Sequence, residues 1–278
     1  MFRQILVPID GAPGAERIVP VAAALAGRLD AALLLWGVAH PGVDRTAQEA
    51  LLYDLLRRHA GGHGAFMSAA HADPVQAIVE HADNHPGTLI CAISHGHGAI
   101  GERAMGSVTA DLLQRCHAPM LVIGPRFDFA HWSPYDWRHV LACVDGSDRG
   151  ERALPVAADF ARCAGLDLTV LQAIAPDDDL FDTERAERYL EALASMHRPS
   201  ARTRVVHAGR RAADAICAEA ERTGATVVAV ASRGRGGPGH SAADNEPTGS
   251  VTNEVLRFSR GPVLVVPLAA SLALPGRW

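Results

Sequence analysis

The sequence predicts two tandem α/β domains, each a doubly wound, Rossmann-like parallel sheet with helices on both faces. Two observations predict this architecture. Short apolar runs alternate with amphipathic segments of helical spacing along each half of the chain, as in βαβ units. The order then restarts midway, where residues 139–147 repeat residues 5–11 and Asp145 stands in the place of Asp10. A length of 278 residues accommodates two such domains, so we predict an internal duplication.

In the first half, continuous apolar runs predict strands that are buried on both faces, and 3.6-residue periodicity predicts the helices between them. The predicted strands span residues 4–10, 31–38, 63–70, 88–93 and 119–125. The predicted helices span residues 16–29, 46–59, 73–85 and 107–115. Asp73 is the expected N-cap of the third helix. Pro20 comes early enough in the first helix to be tolerated or to kink it.

The second half repeats that order with a few residues gained. Its strands are predicted at residues 139–145, 168–174, 203–207, 225–231 and 262–267, and its helices at 150–158, 183–196, 211–222 and 250–258. An aromatic, irregular stretch between the halves is the predicted linker. We therefore expect a first domain at residues 1–126, the linker at 127–137, a second domain at 138–270 and a tail at 271–278.

Composition excludes several classes of function. The net charge of −5 argues against a nucleic-acid partner, and no apolar run approaches the roughly 20 residues that span a bilayer. All 26 basic residues are arginine, so phosphate loops and Schiff-base enzymes that depend on lysine are excluded. Five irregularly spaced cysteines within apolar patterns indicate a reducing compartment and no metal-binding pair. We expect a cytoplasmic protein without a dedicated metal site.

A glycine-rich stretch between the fourth strand and the fourth helix of the first half is the strongest functional signal. Glycines let the backbone approach a ligand, and the free amides of a helix N-terminus attract an anionic group. The same order of strand, glycine loop and helix returns at residues 225–258. If the first and fourth strands are neighbours, Asp10 and residues 96–107 face one crevice at the carboxyl ends of the strands. Ser107 and Ser250 are the expected N-caps of the helices that follow.

These motifs resemble the universal stress protein family in its tandem two-domain form, over nearly the whole chain. Nucleotide-binding members carry G-x2-G-x9-G-[ST], an aspartate that closes the first strand, and a Val-Thr-like pair after the last Ser or Thr. The first half has nine residues between Gly96 and Gly106, with Ile93 in the place of the motif's first glycine. The second half has fourteen residues between Gly234 and Gly249, five more than the motif.

The resemblance implies an adenine nucleotide alpha-hydrolase-like fold that binds ATP or a related adenine nucleotide, mainly in the first domain, with Mg²⁺ as a candidate companion of the phosphates. The residues implied to bind the nucleotide there are Pro8, Ile9, Asp10, Gly37, Ile93, His95, Gly96, Gly106, Ser107, Val108 and Thr109. The corresponding second set comprises Asp145, Gly234, Gly249, Ser250, Val251 and Thr252. The longer second loop carries Asp244 and Glu246 toward the phosphate position, which leaves the occupation of that site open.

The predicted function is that of a stress-response regulatory protein with little or no hydrolysis and no assigned catalytic residue. Two alternatives stay open: a nucleotide-independent protein-interaction module of the same fold, and a slow adenine-nucleotide hydrolase. The apolar, proline-bounded last strand of each half favours edge-to-edge pairing in an intramolecular pseudo-dimer. The resemblance implies the same pairing and a further homodimer. A protein partner is left unknown, and neither nucleic acid nor a membrane is an expected partner.

Overall fold

The computed structural model describes residues 2–9, 14–38, 44–60, 64–69, 73–94, 106–175, 183–234 and 248–268. The described residues divide into two compact units, the first covering those up to Ile123 and the second running from Gly124 to Leu268. Both units have the same order of strands and helices, which confirms the predicted tandem α/β fold. The aromatic stretch 127–137 falls within the second unit in this division. The exact domain limits stay a prediction.

The described part of the first unit is a parallel sheet of five strands. The strands are β1 (Gln4–Ile9), β2 (Ala32–Val38), β3 (Ala65–Ala69), β4 (Thr88–Ile93) and β5 (Met120–Ile123). The helices are α1 (Val19–Leu29), α2 (Arg45–His59), α3 (Pro74–Asn84) and α4 (Ser107–Arg115). The order across the sheet is β3-β2-β1-β4-β5. Right-handed crossovers in this order place α1 and α2 on one face and α3 and α4 on the other.

The described part of the second unit repeats this topology. Its strands are β6 (His139–Val144), β7 (Asp167–Ile174), β8 (Arg202–His207), β9 (Val227–Ala231) and β10 (Val263–Val266). Its helices are α5 (Asp148–Glu151), α6 (Ala153–Ala164), α7 (Thr183–His197), α8 (Ala212–Thr223) and α9 (Ser250–Phe258). The order across this sheet is β8-β7-β6-β9-β10, with every pair parallel. The order in which the chain adds strands to the sheet therefore reverses between β6 and β9, as it does between β1 and β4.

The central strands are buried on both faces, as their continuous apolar runs predict. All six residues of β6 and all five of β9 are buried, and so are the first five of β4. Helices on both faces of a sheet cover such strands, so burial of these runs stabilises each unit separately. Among the helices that the structure describes, none has the length and apolarity needed to cross a membrane.

The first helix of each unit begins differently from the prediction. A 3₁₀ turn, Ala15–Ile18, precedes α1, and Pro20 lies in the first turn of the α-helix. Proline has no amide proton for an α-helical bond to the preceding turn, which accounts for the change of helix type. In the second unit, the predicted first helix is interrupted between α5 and α6, shortly before Pro155. The N-cap predicted at Asp73 is confirmed, because its carboxylate accepts from the amide of Gln76 at 3.0 Å.

Candidate functional site

A cavity of about 240 Å³ opens at the carboxyl ends of β6, β7 and β9 in the second unit. Open α/β sheets bind their ligands at this end of the strands, at the point where the strand order reverses. Asp145, Gly234 and Gly249 all line it. The crevice expected from neighbouring first and fourth strands is therefore present here, and the motif residues of the second half meet in it.

Asp145 is held at the mouth of this cavity by its own loop. Its Oδ1 accepts the Ser147 amide at 3.0 Å and the Ser147 hydroxyl at 2.6 Å. Ser147 in turn is the N-cap of α5, and its Oγ accepts from the amide of Gly150 at 3.1 Å. The carboxylate orientation is thus fixed before any ligand arrives, because two donors hold one of its oxygens.

Two glycines touch the carboxylate of Asp145, Gly150 from helix α5 and Gly234 from the loop after β9. A Cβ on Gly150 would overlap Oδ1 of Asp145, and a Cβ on Gly234 would overlap Oδ2. Neither glycine has a positive φ, so their role here is close approach and not backbone conformation. Helix α5 and the loop after β9 therefore meet at the carboxylate of Asp145, which leaves room only for glycine at both positions.

The amino end of α9 forms the opposite wall. Gly249 is the N-cap and uses no side-chain cap; its own amide donates to the Ser232 carbonyl at 2.8 Å. The hydroxyl of Thr252 donates to the Ala231 carbonyl at 2.8 Å, which ties the first turn of α9 to the end of β9. Within the residues that the structure describes, the amides of Ser250 and Val251 have no acceptor, so they stay available to an anion.

The prediction of serine N-caps is wrong in both units. Gly106 and Gly249 occupy the N-cap positions, and Ser107 and Ser250 are the first helical residues. A hydroxyl at the first helical position stands beyond the geometry in which a side chain accepts from the N2 or N3 amide. Both serines are exposed, so their hydroxyls face solvent at the helix start.

The first unit builds the same helix start as the second. The amide of Gly106 donates to the Ser94 carbonyl at 2.5 Å, and the hydroxyl of Thr109 donates to the Ile93 carbonyl at 2.9 Å. We call each threonine-to-strand bond a clasp. Thr109 and Thr252 are both buried, and each hydroxyl is bonded to the end of a strand. In the structure, these hydroxyls therefore hold the first turn of the helix against the strand.

Of the other predicted residues of the first unit, some lie within the described ranges and some do not. Ile9 is buried and is paired with Gly37, and Pro8 is half-buried beside them in β1. Val108 is half-buried in the first turn of α4. The sequence predictions for Asp10, His95 and Gly96 lie outside the described residues. The roles of all these residues as nucleotide ligands stay predictions.

Sequence reasoning missed a buried glutamine beside each second strand. A Cβ on Gly37 would lie 2.8 Å from Cδ of Gln48, which α2 presents to the strand. In the second unit the register places Gln172 opposite Val144, as Gly37 is opposite Ile9. Each unit therefore has one buried glutamine here, 7% exposed from the helix in the first and 1% exposed from the strand in the second. The glutamine comes from a helix in one unit and from a strand in the other, and this correspondence becomes clear only when the strand registers of the two sheets are aligned.

The thiol of Cys143, which lines the cavity, is not activated. Burial, with a smaller contribution from Cys217, raises the pKa of the Cys143 thiol far above its ordinary value. Cys143 lines the cavity, and its thiol stays protonated near neutral pH, when it is a poor nucleophile. In the described ranges, no group of three or more His, Cys, Asp or Glu side chains is placed to hold a metal ion.

Comparison with known proteins gives a consistent match. The model of the Universal stress protein family matches residues 1–124 and again residues 136–267. Universal stress protein Rv2005c of Mycobacterium tuberculosis is 30% identical over 212 residues, which cover 69% of this chain and 65% of that relative. Universal stress protein Rv2623 of the same species is 34% identical over 183 residues, 61% of this chain and 58% of its own length. The chain thus spans less than two thirds of these curated relatives.

Solved structures match over almost the full chain. A universal stress protein from Archaeoglobus fulgidus is 20% identical, with a TM-score of 0.68 over 95% of this chain and 98% of its own. A putative universal stress protein from Pseudomonas aeruginosa is 22% identical, with a TM-score of 0.66 over 98% of this chain and 96% of its own. At such identities the likeness shows the fold alone.

Proposed function

Because the chain belongs to the universal stress protein family, with one copy of the domain in each half, we propose that it is a stress-response regulator that binds ATP or a related adenine nucleotide. The first domain, which keeps the family's loop spacing, is the proposed principal site. The crevice of the second domain is proposed as a second site. The observation that carries this proposal is the second-domain cavity, where a fixed carboxylate and a helix N-terminus without a side-chain cap line one opening.

The amino end of α9 supports the assignment of the phosphates. The chain has no lysine, and no arginine is among the described residues that line this cavity, so the positive potential at this wall comes from the first-turn amides of α9 and the helix dipole. The exposed hydroxyl of Ser250 adds a donor beside them. The first domain presents the same start of helix at Ser107, which is why we assign its phosphate contacts in the same way.

The inner wall supports the assignment of the nucleoside. Ala173, Ile216 and Val230 give this cavity an apolar lining, and Asp145 provides an acceptor at its edge. A volume of about 240 Å³ is below the range of about 300–1,000 Å³ typical of complete ligand pockets. We therefore assign the base and ribose to the cavity and the phosphates to its open mouth.

The chemistry of the lining favours binding over turnover. The Cys143 thiol is protonated, and the carboxylate of Asp145 is already engaged by Ser147, so neither is poised as a general base. Asp145 is the one carboxylate among the lining residues that the structure describes. Mg²⁺ would accordingly arrive as part of the nucleotide complex. Slow hydrolysis and a nucleotide-independent interaction module remain the alternatives to this proposal.

A charge placed at the first helical position tests the proposal. Ser250→Asp adds a carboxylate where the phosphates are assigned, but a carboxylate in the first turn also stabilises the helix. We expect affinity for ATP in the second site to fall about tenfold or more, while adenosine binds as before and the thermal midpoint does not decrease. Calorimetric titration of both ligands measures this. Equal ATP affinities of wild type and variant would refute the phosphate assignment, and ATP hydrolysis by the wild type would favour the hydrolase alternative.

A further inference from the structure

A second and larger cavity, of about 480 Å³, lies at the opposite end of the second domain's sheet. Its wall includes Thr226 and Pro262, which directly precede β9 and β10, and Trp137, which lies two residues before β6. The C-terminal end of α8 and the stretch 127–137 complete it. Because the nucleotide crevice opens at the carboxyl ends of these strands, this cavity at their amino ends is a separate site.

Three aromatic residues line this cavity. Phe127, Trp132 and Trp137 all line it, and the ring centroids of Phe127 and Trp132 are 6.5 Å apart. Trp137 is 2% exposed, and its indole N–H has no acceptor within the described part of the chain. The faces of aromatic rings carry partial negative charge and attract cations that approach within about 6 Å.

The polar groups of the wall are mainly acidic. Asp136 and Glu221 line the cavity, and Arg260, the one guanidinium among the lining residues described, lies 2.9 Å from Glu221. Gly224 ends α8 at the same wall, which adds the negative end of that helix dipole. The lining therefore carries one net negative charge.

The thiol of Cys217 is buried beside several charged groups. Its pKa is raised to about 11, first by burial and then by the nearby carboxylates of Asp214, Glu221 and Glu254, against which Arg126 acts in the other direction. Cys217 is itself part of the cavity wall. Asp214 and Glu254 are both paired with Arg211 outside the lining, so the charge that favours a cation over an anion is that of the lining itself, where Asp136 and Glu221 outnumber Arg260.

We propose that this cavity binds a small organic cation, a quaternary or alkylated ammonium with an apolar body. The aromatic rings accept the apolar and cationic surface, and Asp136 and Glu221 supply the opposite charge. The volume is within the range of small-molecule pockets, whereas a hydrated metal ion would leave the aromatic wall unused. The site is independent of nucleotide binding.

Choline and its neutral isostere 3,3-dimethylbutan-1-ol provide the matched probes. The two molecules have nearly the same shape and differ in charge, so we expect choline to bind about tenfold more tightly in calorimetric titration of the full chain. The indole N–H signals of Trp132 and Trp137 in ¹H–¹⁵N spectra should shift with choline, and that of Trp36 in the first unit should not. Equal affinities for both probes, or no binding of choline at tens of millimolar, would overturn the proposal.

Charge variants of opposite sign separate the proposal from a structural effect. Glu221 and Arg260 form an exposed ion pair, so either one can be replaced separately. Glu221→Gln removes a negative charge from the lining and should weaken choline binding several-fold. Arg260→Gln removes a positive charge and should strengthen it. Trp132→Ala should weaken binding by about 2- to 30-fold, while Tyr135→Ala, 82% exposed on the same stretch, should change nothing. If Glu221→Gln and Arg260→Gln change the affinity in the same direction, the electrostatic argument is wrong. Ser250→Asp should leave choline binding intact even if the nucleotide proposal fails.

Discussion

Replacement of Gly234 by alanine tests how tightly the two loops of the second-domain crevice are matched. The added methyl group would overlap Oδ2 of Asp145, and the carboxylate cannot turn away freely because its Oδ1 already touches Gly150. To make room, Asp145 must give up the hydrogen bonds from the amide and hydroxyl of Ser147. The loss of these two hydrogen bonds therefore sets the expected decrease in the free energy of unfolding.

The magnitude follows from those bonds. A hydrogen bond to a charged group contributes about 1.5–3 kcal/mol when buried, and less here because Asp145 is half-buried and water can replace part of the loss. We therefore expect Gly234→Ala to lower the free energy of unfolding by about 2 kcal/mol. In an Asp145→Ala background the overlap is gone, so the same substitution should cost close to nothing, which gives a coupling energy of about 2 kcal/mol.

Urea unfolding of the wild type, the two single variants and the double variant measures this coupling. Gly209→Ala is the matched control, because a Cβ there meets nothing within 4 Å and Gly209 has no positive φ. We expect that control to be neutral or slightly stabilising. If Gly234→Ala costs the same with and without Asp145, or no more than Gly209→Ala, the glycine-carboxylate fit does not constrain this site.

Thr252→Val removes the donor to the Ala231 carbonyl, and we expect a loss of about 1–2 kcal/mol in urea unfolding because a buried acceptor stays unpaired. Gly37→Ala should cost about 1–3 kcal/mol by overpacking against Gln48, and Gln48→Ala in the same chain should recover most of this loss. Burial lowers the pKa of His139 below its ordinary value of 6.5, so the unfolded chain binds the proton more readily than the folded one. Stability should therefore be full above about pH 6.5 and decrease as the pH falls below it, and His139→Gln should flatten that decrease in unfolding curves taken from pH 7 to 5.

Each of these predictions has a matched control. Thr46→Val, on the exposed start of α2, should be neutral, and an equal loss there would contradict the clasp. Gly27→Ala meets nothing within 4 Å and should not respond to Gln48→Ala. His197→Gln, at an exposed helix end, is the matched control for loss of an imidazole as such. A pH profile that is as steep in His139→Gln as in the wild type would contradict the role of His139.

Much of the fold could be predicted because its signals are local. Continuous apolar runs such as the one ending at Val144 are buried on both faces and appear in the sequence as strands. The strand that precedes Asp145 is a neighbour of the one before Gly234, as the ligand-site hypothesis requires. The repeat of Asp10 at Asp145 carried this reasoning from one half to the other.

The remaining features depend on geometry that no local pattern records. Whether Gly249 or Ser250 is the N-cap depends on one backbone turn, and both residue types are acceptable at that position. The exchange of a buried glutamine between helix and strand requires the registers of both sheets. The aromatic cavity could not be predicted because residues 127–137 have the sequence pattern of a linker. They line a cavity only because they pack near the C-terminal end of α8.

The most direct test of the central claim is an amide titration of the full chain with ATP and, separately, with adenosine. If backbone amides at the starts of α4 and α9 hold the phosphates, the ¹H–¹⁵N signals of Ser107, Ser250 and Val251 should shift strongly with ATP and little with adenosine. Those three signals unmoved by saturating ATP, or moved equally by both ligands, would contradict the account.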